Sequence, residues 1–141
     1  MPYTRIWLHL IWSTKQRQPL LADSFRNQIF QHIRENAKTK NLYVDHINGT
    51  SDHVHLLISL PAHISLSEWV RLIKGESSRW INLQGWLHGK FAWQEEYIAI
   101  SYHESELGNV RNYIRNQEEH HRLQTFQEEY QRFLEKYDFA L

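Results

Sequence analysis

The sequence predicts an α+β fold: a ferredoxin-like, RRM-like antiparallel β-sheet with helices on one face, plus additional C-terminal helices. Three observations lead there. Apolar residues alternate from Tyr3 to Trp12, the period of a strand. Two further runs, about 42–48 and 53–60, flank Gly49-Thr50-Ser51-Asp52 as the arms of a hairpin. Segments of helical period stand before and after that hairpin, and one more strand follows, giving the order β-α-β-β-α-β.

Each element has its own grounds. In the first strand Ile6, Leu8, Leu10 and Trp12 share one face, with Arg5, Trp7 and His9 on the other. Thr14 to Pro19 is polar and basic, hence a loop. Asp23 or Ser24 offers an N-cap, and Phe25, Ile29, Phe30, Ile33 and Ala37 follow at helical spacing. After the hairpin, which Pro61 ends, Ser65 and Glu68 have the spacing of a capping box. Trp69, Val70, Ile73, Ser77 and Ile81 continue that second helix as a buried stripe. Gly85 and Gly89 bracket a loop, and Phe91 to Trp93 and Tyr97 to Tyr102 read as one or two short strands. A third helix spans about Ser105 to His121, and Thr125 with Glu128 opens a fourth. The chain thus reads as one domain over 1–141, a core to about residue 104 followed by helices over about 105–141. With the first two helices on one side of the sheet, its other face is expected to be free for a site or a partner.

Composition narrows the function. At 141 residues, 41% hydrophobic and 13% aromatic, the chain has enough apolar surface for a packed core, which excludes a disordered segment. The absence of cysteine excludes a disulfide scaffold, thiolate zinc sites and a cysteine nucleophile. The N-terminus lacks the pattern of a signal peptide, and no apolar run approaches the ~18 residues of a membrane span. A cytoplasmic protein is expected. Sixteen Lys and Arg balance sixteen Asp and Glu, so a nucleic-acid partner has to be met by a local basic patch.

Three constellations can carry chemistry. His53 and His55 lie two apart on one strand, so their imidazoles share a face about 7 Å apart and can converge on a divalent cation. Alone, His-x-His is a weak sign, equally suited to two polar-face histidines. Tyr113 and Gln117 are one helical turn apart beside the apolar line of Leu107, Val110 and Ile114, with His120 and His121 further on. A phenol can serve as an oxygen nucleophile where a metal polarises the electrophile. Lys15, Arg17, Arg71, Lys74, Arg79, Arg111 and Arg115, interleaved with tryptophans, can hold phosphates while aromatic rings stack bases.

Taken in order, these segments resemble the small HUH-type tyrosine transposases of single-strand insertion sequences, the TnpA group, with the related REP-associated tyrosine transposases. The similarity runs through Leu10-Ile11-Trp12-Ser13-Thr14-Lys15, Asp52-His53-Val54-His55-Leu56-Leu57, Ser67 to Lys74, Phe91-Ala92-Trp93-Gln94-Glu95, Tyr113 to His121 and Phe126 to Tyr130. The resemblance implies a single-strand DNA transposase in which Tyr113 is the nucleophile and His53, His55 and Gln117 bind Mg²⁺ or Mn²⁺. It further implies a 5′-phosphotyrosine intermediate, hairpin-bearing element ends as substrate, a homodimer and no nucleotide cofactor. A DNA-bound copy would be associated with the nucleoid. Glu96 stands where relatives commonly have Gly, and Tyr102 replaces a smaller residue. The alternative within this fold is a non-catalytic or domesticated module that binds a single strand on the open sheet face with Arg5, Trp7 and His9.

Overall fold

The computed structural model describes residues 2–139, with the side chain of His121 outside that description. Strands β1 (Trp7–Ser13), β2 (Tyr43–Gly49), β3 (His53–Ser59) and β4 (Ile98–Tyr102) form one antiparallel sheet in the order β2-β3-β1-β4. Helices α1 (Asp23–Thr39) and α2 (Leu66–Gln84) connect them, and α3 (Leu107–Arg115), α4 (Gln117–Leu123) and α5 (Phe126–Lys136) follow β4. This is the α+β architecture and the β-α-β-β-α-β order that the sequence predicts.

Strand β3 lies inside the sheet with His53 to Ile58 all buried, so it must satisfy two faces at once. Val54, Leu56 and Ile58 enter the larger core with Leu8, Leu10 and Trp12 of β1, under the apolar faces of α1 and α2. His53, His55 and Leu57 therefore turn to the opposite face. A slip of one residue would drive both imidazoles into that apolar core and bring Val54 and Leu56 out of it, so burial itself fixes the register. The turn into β3 is equally constrained: a Cβ on Gly49 would stand 2.1 Å from the His53 carbonyl oxygen.

The second face is not open. Trp7 and Leu57 pack against Leu107, Val110 and Ile114 of α3, while Ile11, Ile98 and Ile100 pack against Phe126 and Phe133 of α5. Trp7 and His9 are 8% and 2% exposed, so the expected free face with Arg5, Trp7 and His9 as a stacking platform is overturned. The reason lies in the sequence of that face, where Trp7, Ile11 and Leu57 are as apolar as their neighbours on the other side and need a second layer.

Several boundaries also move. β1 begins at Trp7 rather than Tyr3, whose side chain is exposed. Residues 91–93 add no strand, only the isolated bridge between Thr14 and Trp93. The expected third helix divides at Asn116 (φ −97°, ψ 24°) into α3 and α4. Helix α1 is preceded by Ala22 with no side-chain cap, because Asp23 instead pairs with Arg26 at 2.5 Å. Ser65 and Thr125 do cap α2 and α5 by accepting from the backbone N–H of Glu68 and Glu128, and at Thr125 the reciprocal Glu128 contact completes the box. Among the described residues no helix is long and apolar enough to cross a membrane.

Candidate active site

Helix α3 is fastened to β2 through Asp45 and Asn48, and these contacts help set where its tyrosine stands. The register of β2 on β3 shifts between Val44 and His46, and the bulge residue Asp45 receives both Nε and Nη2 of Arg111 at 2.9 and 3.0 Å. Beside this pair, Asn48 Nδ2 donates to the carbonyls of Ile114 and Arg115 at 3.0 and 3.1 Å, satisfying oxygens that the helix end leaves without partners. Tyr113, on the same helix, is thereby held over β3, its ring centroid 5.7 Å from that of His55.

Each histidine of the pair is oriented from behind. His53 Nδ1 lies 2.9 Å from Asp52 Oδ1 and 3.0 Å from the Thr50 hydroxyl. A carboxylate at that distance accepts, so Nδ1 carries the proton and Nε2 presents its lone pair forward. There it meets Gln117 Oε1 at 3.1 Å and Glu129 Oε1 at 3.5 Å, while the Gln117 amide nitrogen faces the Tyr113 carbonyl at 3.4 Å. His55 Nε2 lies 3.0 Å from the same Glu129 oxygen, and its Nδ1 is 2.8 Å from His9 Nε2. That last hydrogen bond can run in either direction, so His55 can offer a lone pair at Nε2 without losing its support. Tyr113 donates its hydroxyl to the second oxygen of Glu129.

Electron-rich atoms thus converge on one buried point: two imidazole nitrogens, an amide oxygen and a carboxylate. His53, His55, Gln117 and Glu129 are all 2% exposed or less. The ligand atoms of His53, His55 and Glu129 lie within 4.8 Å of one another. Mixed nitrogen and oxygen donors turned to a common point fit a divalent cation of the Mg²⁺ or Mn²⁺ kind.

The electrostatics follow from burial. His55 is lowered from 6.5 to about 4, burial outweighing the neighbouring Glu129 charge, and His9 is lowered well below 6.5 by burial and by His55. Burial favours the neutral acid of Glu129, but the hydrogen bonds from His55 and Tyr113 overcome it and keep the carboxyl below the usual range. The Tyr113 phenol is raised, first by burial and then by the Glu129 charge.

The structure brings Tyr113, His53, His55 and Gln117 together. The basic residues are scattered by comparison. Lys74 points inward, donating to the carbonyls of Gln94, Glu95 and Glu96 at 2.6, 3.1 and 3.1 Å, and Arg111 is the clamp on Asp45. Each cation answers acceptors of its own chain. Arg17 lies over the rings of Phe126 and Tyr130, Arg115 reaches Asn112 and His46, and Arg71 pairs with Glu68. Lys15 and Arg79 are exposed. A cavity of about 500 Å³ adjoins Tyr113, with Arg132 and Lys136 of α5 among its lining. Glu129 and His9 are the residues that sequence reasoning missed. One signal was available for Glu129: it shares the buried face of α5 with Phe126 and Phe133, an acid in an apolar stripe.

Comparison with known proteins bears on the family and the fold. The family described as "Transposase IS200 like" matches residues 2–117. The ISDra2 transposase TnpA of Deinococcus radiodurans is 28% identical over 114 residues, 77% of this chain and 81% of that protein. The transposase of insertion sequence element IS200 from Salmonella typhimurium is 24% identical over 120 residues, 82% of this chain and 78% of its own length. Among solved structures, a candidate transposase from Deinococcus radiodurans R1 superposes with a TM-score of 0.65 at 25% identity, covering 82% of this chain and 93% of that one. A REP-associated tyrosine transposase bound to a REP hairpin shares the fold, with a TM-score of 0.61 at 16% identity over 82% of this chain and 68% of its own.

Proposed function

The chain belongs to the IS200-like transposases, and on that premise we propose that it cleaves and rejoins single-stranded DNA through Tyr113 with a divalent cation. The observation that carries this reading is the shared carboxylate: Tyr113 and the His53–His55 pair, from α3 and β3, meet on Glu129 of the same chain. Nucleophile and ligands are then side by side with no large rearrangement, which favours Tyr113 serving the histidines of its own chain.

In the reaction proposed, the Tyr113 oxygen loses its proton and forms a bond to the phosphorus of a phosphodiester. The bond from phosphorus to the 3′ oxygen breaks, and that oxygen leaves with the electron pair and takes up, through solvent, the proton that Tyr113 gave up, becoming a 3′ hydroxyl. The DNA keeps its 5′ phosphate as an ester of Tyr113, so the energy of the broken bond is conserved and a new 3′ hydroxyl can displace the tyrosine without a nucleotide cofactor. His53, His55 and Gln117 would hold Mg²⁺ or Mn²⁺, which when bound draws charge from the phosphate. Asp52 and His9 orient the two imidazoles, and Asp45 and Asn48 hold α3.

The substrate proposed is the single-stranded end of a small mobile element, hairpin-bearing as in the REP-associated relative. Lys15, Arg17, Arg71, Arg79 and Arg115 are the candidate phosphate contacts, and a homodimer is the proposed assembly. Residues 105–141 are read as part of the same functional unit as the sheet, in a cytoplasmic protein acting at the nucleoid. The test is strand cleavage. Labelled single strands of both senses from the DNA flanking the gene are incubated with Mg²⁺ or Mn²⁺ and resolved on a denaturing gel. Cleavage of one sense that chelation abolishes supports the reading, and intact strands on every flank refute it.

A further inference from the structure

Glu129 is hard to explain as a packing residue. It is 2% exposed on the face of α5 that also buries Phe126 and Phe133, where a leucine would pack without the cost of burying an ion. It lies outside residues 2–117, the part of the chain that the family matches. Yet α5 is fastened so that this side chain has one place to go. The Thr125 capping box fixes its first turn, Phe126 stacks on His53 at 4.2 Å, and the hydroxyls of Tyr102 and Tyr137 meet at 2.8 Å beyond its last turn.

We propose that Glu129 is a further ligand of the divalent ion, so that α5 completes the active site and the donor set is His53, His55, Gln117 and Glu129. This rests on the metal-dependent reading above and extends it. Mg²⁺-type ions bind oxygen at about 2.0–2.1 Å in octahedral shells, which puts neighbouring donors about 3 Å apart and opposite ones about 4 Å apart. The separations here match: Glu129 Oε1 is 3.0 Å from His55 Nε2 and 3.5 Å from His53 Nε2, and the latter is 3.1 Å from Gln117 Oε1. Charge argues the same way. Two imidazoles and an amide leave a dication uncompensated in a buried site, while Asp52 faces the far nitrogen of His53. Six donors are usual for such ions, so four from the chain still admit a phosphate oxygen. The other oxygen of Glu129 receives the Tyr113 hydroxyl, which ties the position of the nucleophile to that of the ion.

The experiment is Mn²⁺ binding by calorimetry, without DNA, to the full chain and to Glu129→Gln, Tyr113→Phe and the His53→Ala/His55→Ala double variant, each checked for folding by circular dichroism. Glu129→Gln keeps the shape and the Tyr113 contact but not the charge, and its affinity should fall by at least about tenfold. Tyr113→Phe keeps the carboxylate and removes only a hydroxyl that it accepts from, so its affinity should fall less than that of Glu129→Gln. Parent-like binding by Glu129→Gln, with binding lost in the double variant, overturns this inference and leaves the metal-dependent reading standing. No binding by the parent overturns both. A fall in Tyr113→Phe as large as in Glu129→Gln means that the charge of Glu129 does not hold the ion, and overturns the assignment. Should Glu129→Gln fail to fold, Glu129→Asp, which retracts the oxygen by one methylene, must bind more weakly, and parent-like affinity overturns the assignment.

Discussion

His9 Nε2 on β1 lies 2.8 Å from His55 Nδ1 on β3, with both rings buried. The contact orients His55 from behind without reaching the point where the donors converge. Replacing His9 with Phe keeps a ring of similar size and removes the nitrogen, so His55 loses the partner of its Nδ1. Partners of this kind are worth about 10–100-fold in metal affinity. A calorimetric Mn²⁺ titration of His9→Phe should show a fall in that range with the fold retained, and parent-like affinity would refute the role.

Mild acid should weaken the fold through its buried imidazoles. Burial holds His55 at about 4 in the folded chain against an ordinary 6.5, and His9 shifts in the same direction. Between those two values the unfolded chain binds more protons, so stability is full above the ordinary value and is lost as pH falls toward the folded one. The loss is of the order of a few kcal/mol. Urea midpoints without metal, at about pH 7.5 and about pH 5, measure it. The lower pH should give the lower midpoint, and equal midpoints would refute the account of these buried imidazoles.

Arg111 is assigned here to positioning rather than to DNA. Arg111→Met removes both guanidinium contacts to Asp45 and leaves α3 held to β2 by Asn48, by Arg115 on His46 and by packing. The pair is part-exposed, so the expected loss of stability is about 1 kcal/mol. Strand cleavage should fall further than that implies, because Tyr113 rides on the same helix. The salt dependence of strand binding should keep its slope, since no phosphate contact is lost. A slope reduced by about one would show Arg111 on the DNA.

Lys74 closes the loop at 94–96 by donating to three backbone carbonyls, and burial lowers its ammonium to about 8. Lys74→Met leaves those acceptors without their donor, at a cost of about 1 kcal/mol because two of them can turn to water. Chemical denaturation reads the loss directly. An unchanged midpoint would mean that the loop does not depend on this cation.

What could be read from the sequence was what local period encodes. Strand parity put His53 and His55 on one face, four-residue spacing joined Tyr113 to Gln117, and the capping signals at Ser65 and Thr125 marked two helix starts that the structure has. What escaped depends on contacts distant along the chain. Glu129 meets His55 across 74 residues, and Asp45 meets Arg111 across 66 through a bulge that no periodicity announces. The covered second face escaped because a β-α-β-β-α-β order says nothing of where later helices pack. Both positions noted as departures from relatives, Glu96 and Tyr102, contact this last helix or its end, through Tyr130 and Tyr137.

The central claim is that Tyr113 becomes the covalent carrier of DNA. The most direct measurement is mass spectrometry of the protein after reaction with a cleaved strand, Mn²⁺ and protease digestion. The account predicts a nucleotide mass on the peptide that contains Tyr113, absent from Tyr113→Phe and from reactions with chelator. Strand cleavage with no adduct on that peptide, or an adduct that survives Tyr113→Phe, would contradict it.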